Sequence, residues 1–307
     1  MKHAIKSVFL GLSLLLANGN VAYAQDFDAA LAAFDKGDYA TALNEWRSLA
    51  EQGGANAQYN LGSMYEKGQG VTQDYDEALR WYRLAAEQED ANAQFNLGAM
   101  YYHGEGVTQD YKAAAKWYRS AAGQGDPEAQ FNVGVMYEKG EGVTQDYKEA
   151  ANWYRLSATQ GFMSAQGNLG LLHTQGLGVT QDYKEAARLF RLSAVKGGTV
   201  AQYNLGLIYY KGLSVTQDYK EAVRLFRLSA AQGNAGAQYN LGVMYTKGQG
   251  VIQDNVFAHM WFNVAAANGN AGAVTNRDIV AGKMTAVDIS KAQDLARACV
   301  QKNYKGC

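Results

Sequence analysis

GANAQYNLGSMYEKGQGVTQDYDEALRWYRLAAEQE, residues 54–89, decides the fold, because the chain then rewrites it five more times. Its core hexapeptide starts at Ala57 and returns as AQFNLG at Ala93, AQFNVG at Ala129, AQGNLG at Ala165, AQYNLG at Ala201 and AQYNLG at Ala237, always 36 residues on. A fixed period of this size marks a solenoid, in which each unit packs against its neighbours and not around one central core. Within the unit, Ala57, Leu61, Met64 and Tyr65 recur at helical spacing and form the buried face of a first helix. Gly68 ends it, since a helix C-terminus commonly takes a residue of positive φ. Gln69 to Gln73 is a tight connection. Asp74 then caps a second helix, with Glu77 placed to complete a capping box, and that helix buries Ala78, Trp81, Tyr82 and Ala85. It stops before a glycine of the Gly125, Gly161 or Gly233 kind, and the next unit starts at once, with Asp126-Pro127 supplying a cap and an N1 proline. The expected fold is all-α: a right-handed α/α superhelical solenoid of antiparallel helix pairs.

The unit resembles the tetratricopeptide repeat. Leu61-Gly62-Ser63-Met64-Tyr65 fits its L-G-x2-Y and Ala186 to Phe190 its A-x3-F. It departs in carrying Gln58 in place of tryptophan, in a period longer by two residues, and in the inserted GxGV loop. Those departures are the marks of the sister family, the Sel-one-like repeats (SLR). Residues 91–122 show its pattern: Ala91, Ala93, Leu97-Gly98, Tyr101, Gly104, Gly106-Val107, Asp110, Ala114, Trp117 and Ala121-Ala122. The resemblance covers about 54–270. It implies a non-catalytic scaffold that binds protein through a concave surface lined by the first helix of each pair.

Outward from the repeats, residues 1–24 read as a secretory signal peptide: Lys2 and Lys6 precede an apolar run from Val8 to Ala17, and Ala22-Tyr23-Ala24 has the small-x-small form of a cleavage site. The expectation is cleavage after Ala24 and export to the periplasm or beyond, as a monomer. Residues 25–53 form a degenerate capping helix pair with Phe34, Tyr39, Leu43, Trp46 and Leu49. Six repeats occupy 54–269, and 270–307 caps the far end. A seventh copy decays through Ala265 to Arg277, and a last helix starts at Thr285, with Asp288 at the capping-box position. Cys299 and Cys307, the only cysteines, are expected to pair as a clasp on that helix.

Removing the leader leaves 26 Lys+Arg against 29 Asp+Glu, a balance with no basic stripe for nucleic acid. No later stretch is long and apolar enough to span a bilayer. The KGQGV and HGEGV glycines lack the strand and Lys-Ser/Thr of a phosphate loop and recur from unit to unit, so they read as turns. His103, His173 and His259 lie in three different repeats with no partner at helical spacing, and no cofactor or metal is expected. Neither a nucleophile elbow nor an acylation motif is present.

Candidate binding residues follow from the first-helix stripe facing away from the core, Asn56, Asn60, Ser63 and Lys67 and their equivalents. Its asparagine is the same in every unit: Asn60, Asn96, Asn132, Asn168, Asn204 and Asn240. Such an asparagine either binds an extended peptide, as in tetratricopeptide domains, or joins adjacent repeats as a ladder. The third position drifts from polar to apolar, through Ser63, Ala99, Val135, Leu171, Leu207 and Val243, while Lys67, His103, Lys139, Lys211 and Lys247 keep the rim mostly basic. An apolar floor with a lysine rim suits a peptide bearing acidic groups; extra inter-helix packing would give the same drift. Three functions are weighed: a protein-binding scaffold, an envelope glycan or peptidoglycan binder, and a penicillin- or peptidoglycan-acting enzyme like some cysteine-rich relatives. Those relatives bridge every repeat, and these repeats hold no cysteine. Repeat four is expected to be the least stable, since Gly167 replaces an aromatic, His173 a tyrosine, and Phe162 enters the helix start. Glu89, standing where other units have glycine, is expected to cost about 1 kcal/mol at positive φ.

Overall fold

A computed structural model describes residues 23–307. The expected leader, 1–22 above all, lies outside the described residues, and Tyr23 and Ala24 fall in the first helix. Among the described residues there are helices and turns and no strand. The chain divides into two compact units, the first ending at Gln145 and the second beginning at Asp146.

The first unit contains α1 (23–35), α2 (Tyr39–Glu51), α3 (Ala55–Lys67), α4 (Tyr75–Glu87), α5 (Ala91–His103), α6 (Tyr111–Gly123) and α7 (Pro127–Lys139). The second contains α8 (Tyr147–Thr159), α9 (Met163–Gln175), α10 (Tyr183–Val195), α11 (Thr199–Lys211), α12 (Tyr219–Ala230), α13 (Ala235–Lys247), α14 (Asn255–Ala267), α15 (Ala271–Ala281) and α16 (Ala286–Gln301). Consecutive helices pack on one another from α2 to α7 in the first unit and from α8 to α15 in the second, where α16 returns onto α14. The result is an all-α repeat solenoid of helix pairs.

Two glycines explain the geometry of the repeat, both present in every unit but the fifth, where Ser214 takes the second place at φ 54°. The glycine of the LG pair sits under an aromatic ring of the second helix: a Cβ on Gly98 would lie 2.8 Å from Tyr118, and one on Gly206 would lie 2.7 Å from Phe226. Only a bare backbone lets the two helices approach so closely. The second glycine of GxG docks the inserted loop on the preceding repeat. Gly106, at φ +63°, leaves 2.6 Å between a would-be Cβ and the Tyr75 carbonyl oxygen. The longer period therefore adds a loop that grips its neighbour.

The caps form as expected, with one correction. Asp74 accepts from the backbone N–H of Asp76 and Glu77 at 3.0 and 3.1 Å, and Asp126 caps α7 ahead of Pro127. Glu77, however, does not reach back to close a capping box. Its carboxylate takes Arg80 at 2.9 Å, as Glu185 takes Arg188 and Glu221 takes Arg224, because a guanidinium one turn on is a stronger partner than a cap amide. Glu89 does stand in the left-handed region, at φ 66°. Cys299 and Cys307 form a disulfide, their Cα atoms 5.5 Å apart.

Three hydrogen-bond ladders join neighbouring repeats. The tyrosine expected in the buried face is only half-buried at Tyr65 and Tyr101: their hydroxyls accept from Arg47 (3.1 Å) and Arg83 (2.8 Å) of the preceding second helix. Tyr137, Tyr209 and Tyr245 take Arg119, Arg191 and Arg227 in the same way. A second ladder runs through buried glutamines. Gln58, Gln94, Gln202 and Gln238 each donate to a carbonyl at the end of the preceding helix, and their side-chain oxygens accept from Gln88, Gln124, Gln232 and Asn268 at 2.7 to 2.9 Å. The third ladder belongs to the asparagines.

Candidate functional site

The six stripe asparagines are all half-buried, at the edge of the first-helix face. Asn168 donates to the Tyr154 hydroxyl at 3.1 Å, fourteen positions earlier on α8. Asn96 stands near the hydroxyls of Tyr82, fourteen positions earlier, and Tyr59, thirty-seven earlier, while the Tyr82 hydroxyl itself donates to Glu66 at 2.7 Å. Asn204 finds Phe190 and Gly167 at the two corresponding places, neither of which carries a hydroxyl, and folds back onto its own helix at the Val200 carbonyl, 2.8 Å away. At Asn168 the asparagine bridges repeats through a tyrosine; at Asn204 no tyrosine stands in reach.

The third-position residues, Ser63, Ala99, Val135, Leu171, Leu207 and Val243, are half-buried, between the asparagine row and the rim. Two of them floor a groove in the first unit. Between α5 and α7 a cleft of about 450 Å³ is lined by Ala99, Val135, Phe95, Phe131, His103 and Asn132 among others. In the second unit a smaller cleft of about 240 Å³ separates α13 from α15, with Val243 and Lys247 on one wall and Asn276 and Ile279 on the other.

The α15 wall corrects the sequence reading. Repeat seven looked spent by Arg277, yet Asn276, Ile279 and Lys283 stand 36 residues after Asn240, Val243 and Lys247. Asn276 donates to the Tyr239 hydroxyl at 2.7 Å, so the asparagine ladder runs one rung further than the hexapeptide. The stripe spacing would have revealed this; the loss of the LG signature hid it.

At the rim, Lys67, Lys211, Lys247 and His103 are exposed. Lys139 is also exposed but committed: its ammonium lies 3.6 Å from Glu141 and 3.5 Å from the Tyr102 hydroxyl, which donates to Glu141 at 2.7 Å. Partial burial, and then the Glu141 carboxylate, raise the Tyr102 pKa. His103 lies edge-on to the Tyr102 ring, 5.1 Å between centroids. In each unit the structure thus brings neighbouring first-helix stripes side by side: α3, α5 and α7 in the first, and α9, α11, α13 and α15 in the second.

Among the described residues, no group of three or more His, Cys, Asp and Glu is placed to hold a metal, and no helix is long and apolar enough to cross a membrane. His173 is half-buried with Nδ1 shut from solvent and unpaired. His259 is buried in α14, where desolvation first, and then the Arg277 cation, lower its pKa.

Paired helices in register, tied by side-chain ladders, and a stripe of varying residues over a constant frame define a repeat scaffold of the helical-pair class. The Sel1 repeat profile matches six consecutive segments: 55–90, 91–126, 127–162, 164–197, 199–234 and 235–270. The chain belongs to the Sel1 repeat family, whose members are generally protein–protein interaction scaffolds and typically non-catalytic. Among solved structures it is similar to a Sel1 repeat protein from Oxalobacter formigenes, at 36% identity and TM-score 0.67, over 78% of this chain and 99% of that one. It is also similar to c5321, a protective antigen present in uropathogenic Escherichia coli strains with an SLR fold, at 27% identity and TM-score 0.54, over 94% of this chain and 86% of that one. The comparison with curated proteins finds no match.

Proposed function

We propose that this protein is an exported, non-catalytic scaffold that holds a protein or peptide partner on its first-helix face. The observation that carries the reading is a coincidence of position. The clefts on that face are lined by third-position residues, where the repeats differ, set beside Asn132 and Asn276 of the row where they agree. A constant frame with a variable floor is what selective recognition of an extended or helical segment requires. Lys67, Lys211 and Lys247 favour a segment with acidic groups. The asparagines are assigned to the frame, supported by the tyrosine bonds of Asn168 and Asn276. Export is supported by the leader-like first 24 residues, by the disulfide, which suits an oxidising compartment, and by a relative described as a protective antigen.

The test is capture from cell-envelope extract by wild-type protein and by the Leu171→Ser, Leu207→Ser double variant, with folding checked by circular dichroism. The variant is expected to lose partners that the wild type retains. An unchanged partner profile would remove the floor from the binding surface. Purified peptidoglycan and a penicillin-hydrolysis assay run beside it. Retention on peptidoglycan without any protein partner would favour the glycan-binding reading, and hydrolysis the enzymatic one.

A further inference from the structure

The opposite face of the second unit carries a surface that the scaffold reading leaves unused. Helices α8, α10 and α12 each present a lysine at the first turn and a leucine two turns on: Lys148 and Leu156, Lys184 and Leu192, Lys220 and Leu228. The leucines are 50%, 43% and 42% exposed, large values for a residue that gains by burial. The lysines are exposed and form no ion pair. Between them lie Arg188 and Arg224, each held by a glutamate on its own helix but with more than half of the side chain in solvent.

Helix α14 shows what this face accepts. At the same register it has Val256, Met260 and Val264, and the last two are each 1% exposed. The cover is α16: Met260 lies beside Leu295 and Cys299, and Val264 beside Ala296 and Val300. In the last repeat, therefore, the outer face of a second helix is a seat for an amphipathic helix, made apolar throughout and filled from within the chain. The seats on α12 and α10 keep the apolar anchor but exchange its surroundings for Lys and Arg, and that on α8 exchanges them for Lys148 and Asn152. They stay empty of α16, which offers them as many cations, Lys291 and Arg297, as anions, Asp288 and Asp294.

We infer that the outer face of α8, α10 and α12 is a second docking surface, whose occupant is an amphipathic helix of another protein with apolar residues on one side and Asp or Glu flanking them. Charge complementarity sets this choice. A second copy of the same face would set lysine against lysine. Leucines spaced one to a helix match a row of side chains on a helix better than they match the continuous apolar plane of a bilayer.

The experiment uses the full chain and a fluorescent peptide of residues 286–301 carrying Lys291→Glu, Arg297→Glu and Cys299→Ala. A basic counterpart carries Asp288→Lys, Asp294→Lys and Cys299→Ala. The acidic peptide is expected to bind, more weakly as salt rises, and at least tenfold more tightly than the basic one. Lys148→Glu, Lys184→Glu and Lys220→Glu together should reverse that preference, and Leu156→Ser, Leu192→Ser and Leu228→Ser should abolish binding of both. These side chains are exposed, so the variants fold. Equal binding of both peptides, no binding of the acidic one, or indifference to the variants would overturn the inference. So would sedimentation with phosphatidylglycerol vesicles in the absence of peptide binding. The Leu171→Ser, Leu207→Ser variant on the other face should leave peptide affinity unchanged, so the two surfaces succeed or fail separately.

Discussion

Replacing Lys196 by Gln should stabilise repeat four, because two of the three inter-repeat ladders falter there and one of them can be mended by a single side chain. Gln166 is 3% exposed and donates to the Ala158 carbonyl at 3.2 Å, yet its Oε1 is buried with no partner. The same oxygen of Gln94 and of Gln202 accepts from Gln124 and Gln232, each at 2.9 Å. Lys196 occupies the donor's place, but its ammonium goes to the Gly161 carbonyl at 2.6 Å instead. Gln124 shows that a glutamine can serve both acceptors, since it also reaches the Glu89 carbonyl at 2.9 Å. Lys196→Gln should thus keep the exposed bond and satisfy the orphan oxygen, whose isolation costs about 1–3 kcal/mol. Against that stands the loss of one charge-assisted bond at the surface, leaving a net gain of about 1 kcal/mol.

Hydrogen exchange by mass spectrometry is the assay, because a solenoid can open one repeat at a time and a global melt would average the effect. In the wild type, amides at 161–178 should exchange faster than those of neighbouring repeats. Gly167 leaves the aromatic site unfilled, and His173 gives Arg155 no hydroxyl, so the guanidinium turns to Asn152. In Lys196→Gln the same amides should slow by about fivefold, the equivalent of about 1 kcal/mol, while Lys196→Leu, which has no donor, should not slow them. Uniform exchange across the wild-type repeats, or equal effects of Gln and Leu, would refute the ladder argument.

Glu89→Gly should raise stability by about 1 kcal/mol, by removing a side chain from a left-handed backbone position that Gly125, Gly161 and Gly233 fill elsewhere; urea denaturation checks it, and a loss of stability would mean that Glu89 makes compensating contacts. His259 sets a pH dependence. Its folded pKa is depressed, so below the ordinary value of about 6.5 the unfolded chain takes up a proton that the folded one resists, and stability is lost as pH falls. His259→Val, the residue at the same place in α12, should flatten the part of the Tm change that appears between about pH 7 and 5; an unaltered slope would exclude this imidazole as its source.

Much of this protein was legible along the chain. A strict period, helical spacing of apolar residues, aspartate caps and closing glycines are local signals, so helix pairs, turns and repeat count follow from near neighbours in sequence. The candidate stripe was legible for the same reason, since residues i, i+4, i+7 and i+11 share a face on any helix. The roles of the stripe residues were not. Whether Asn168 meets a tyrosine depends on Tyr154 of the previous repeat, and Asn204 turns inward because Phe190 and Gly167 lack a hydroxyl. Gln58 looked like a mere departure from tryptophan, and only its bonds to Ala50 and Gln88 make it a rung between repeats. The clefts beside α5 and α13, and the seat of α16 on α14, likewise need the repeats stacked before they exist. Sequence by itself determined the repeating unit, because a helix and its caps are written in contiguous residues. Tertiary structure decided which polar residues serve the frame and which faces stay open, because those depend on partners in neighbouring repeats.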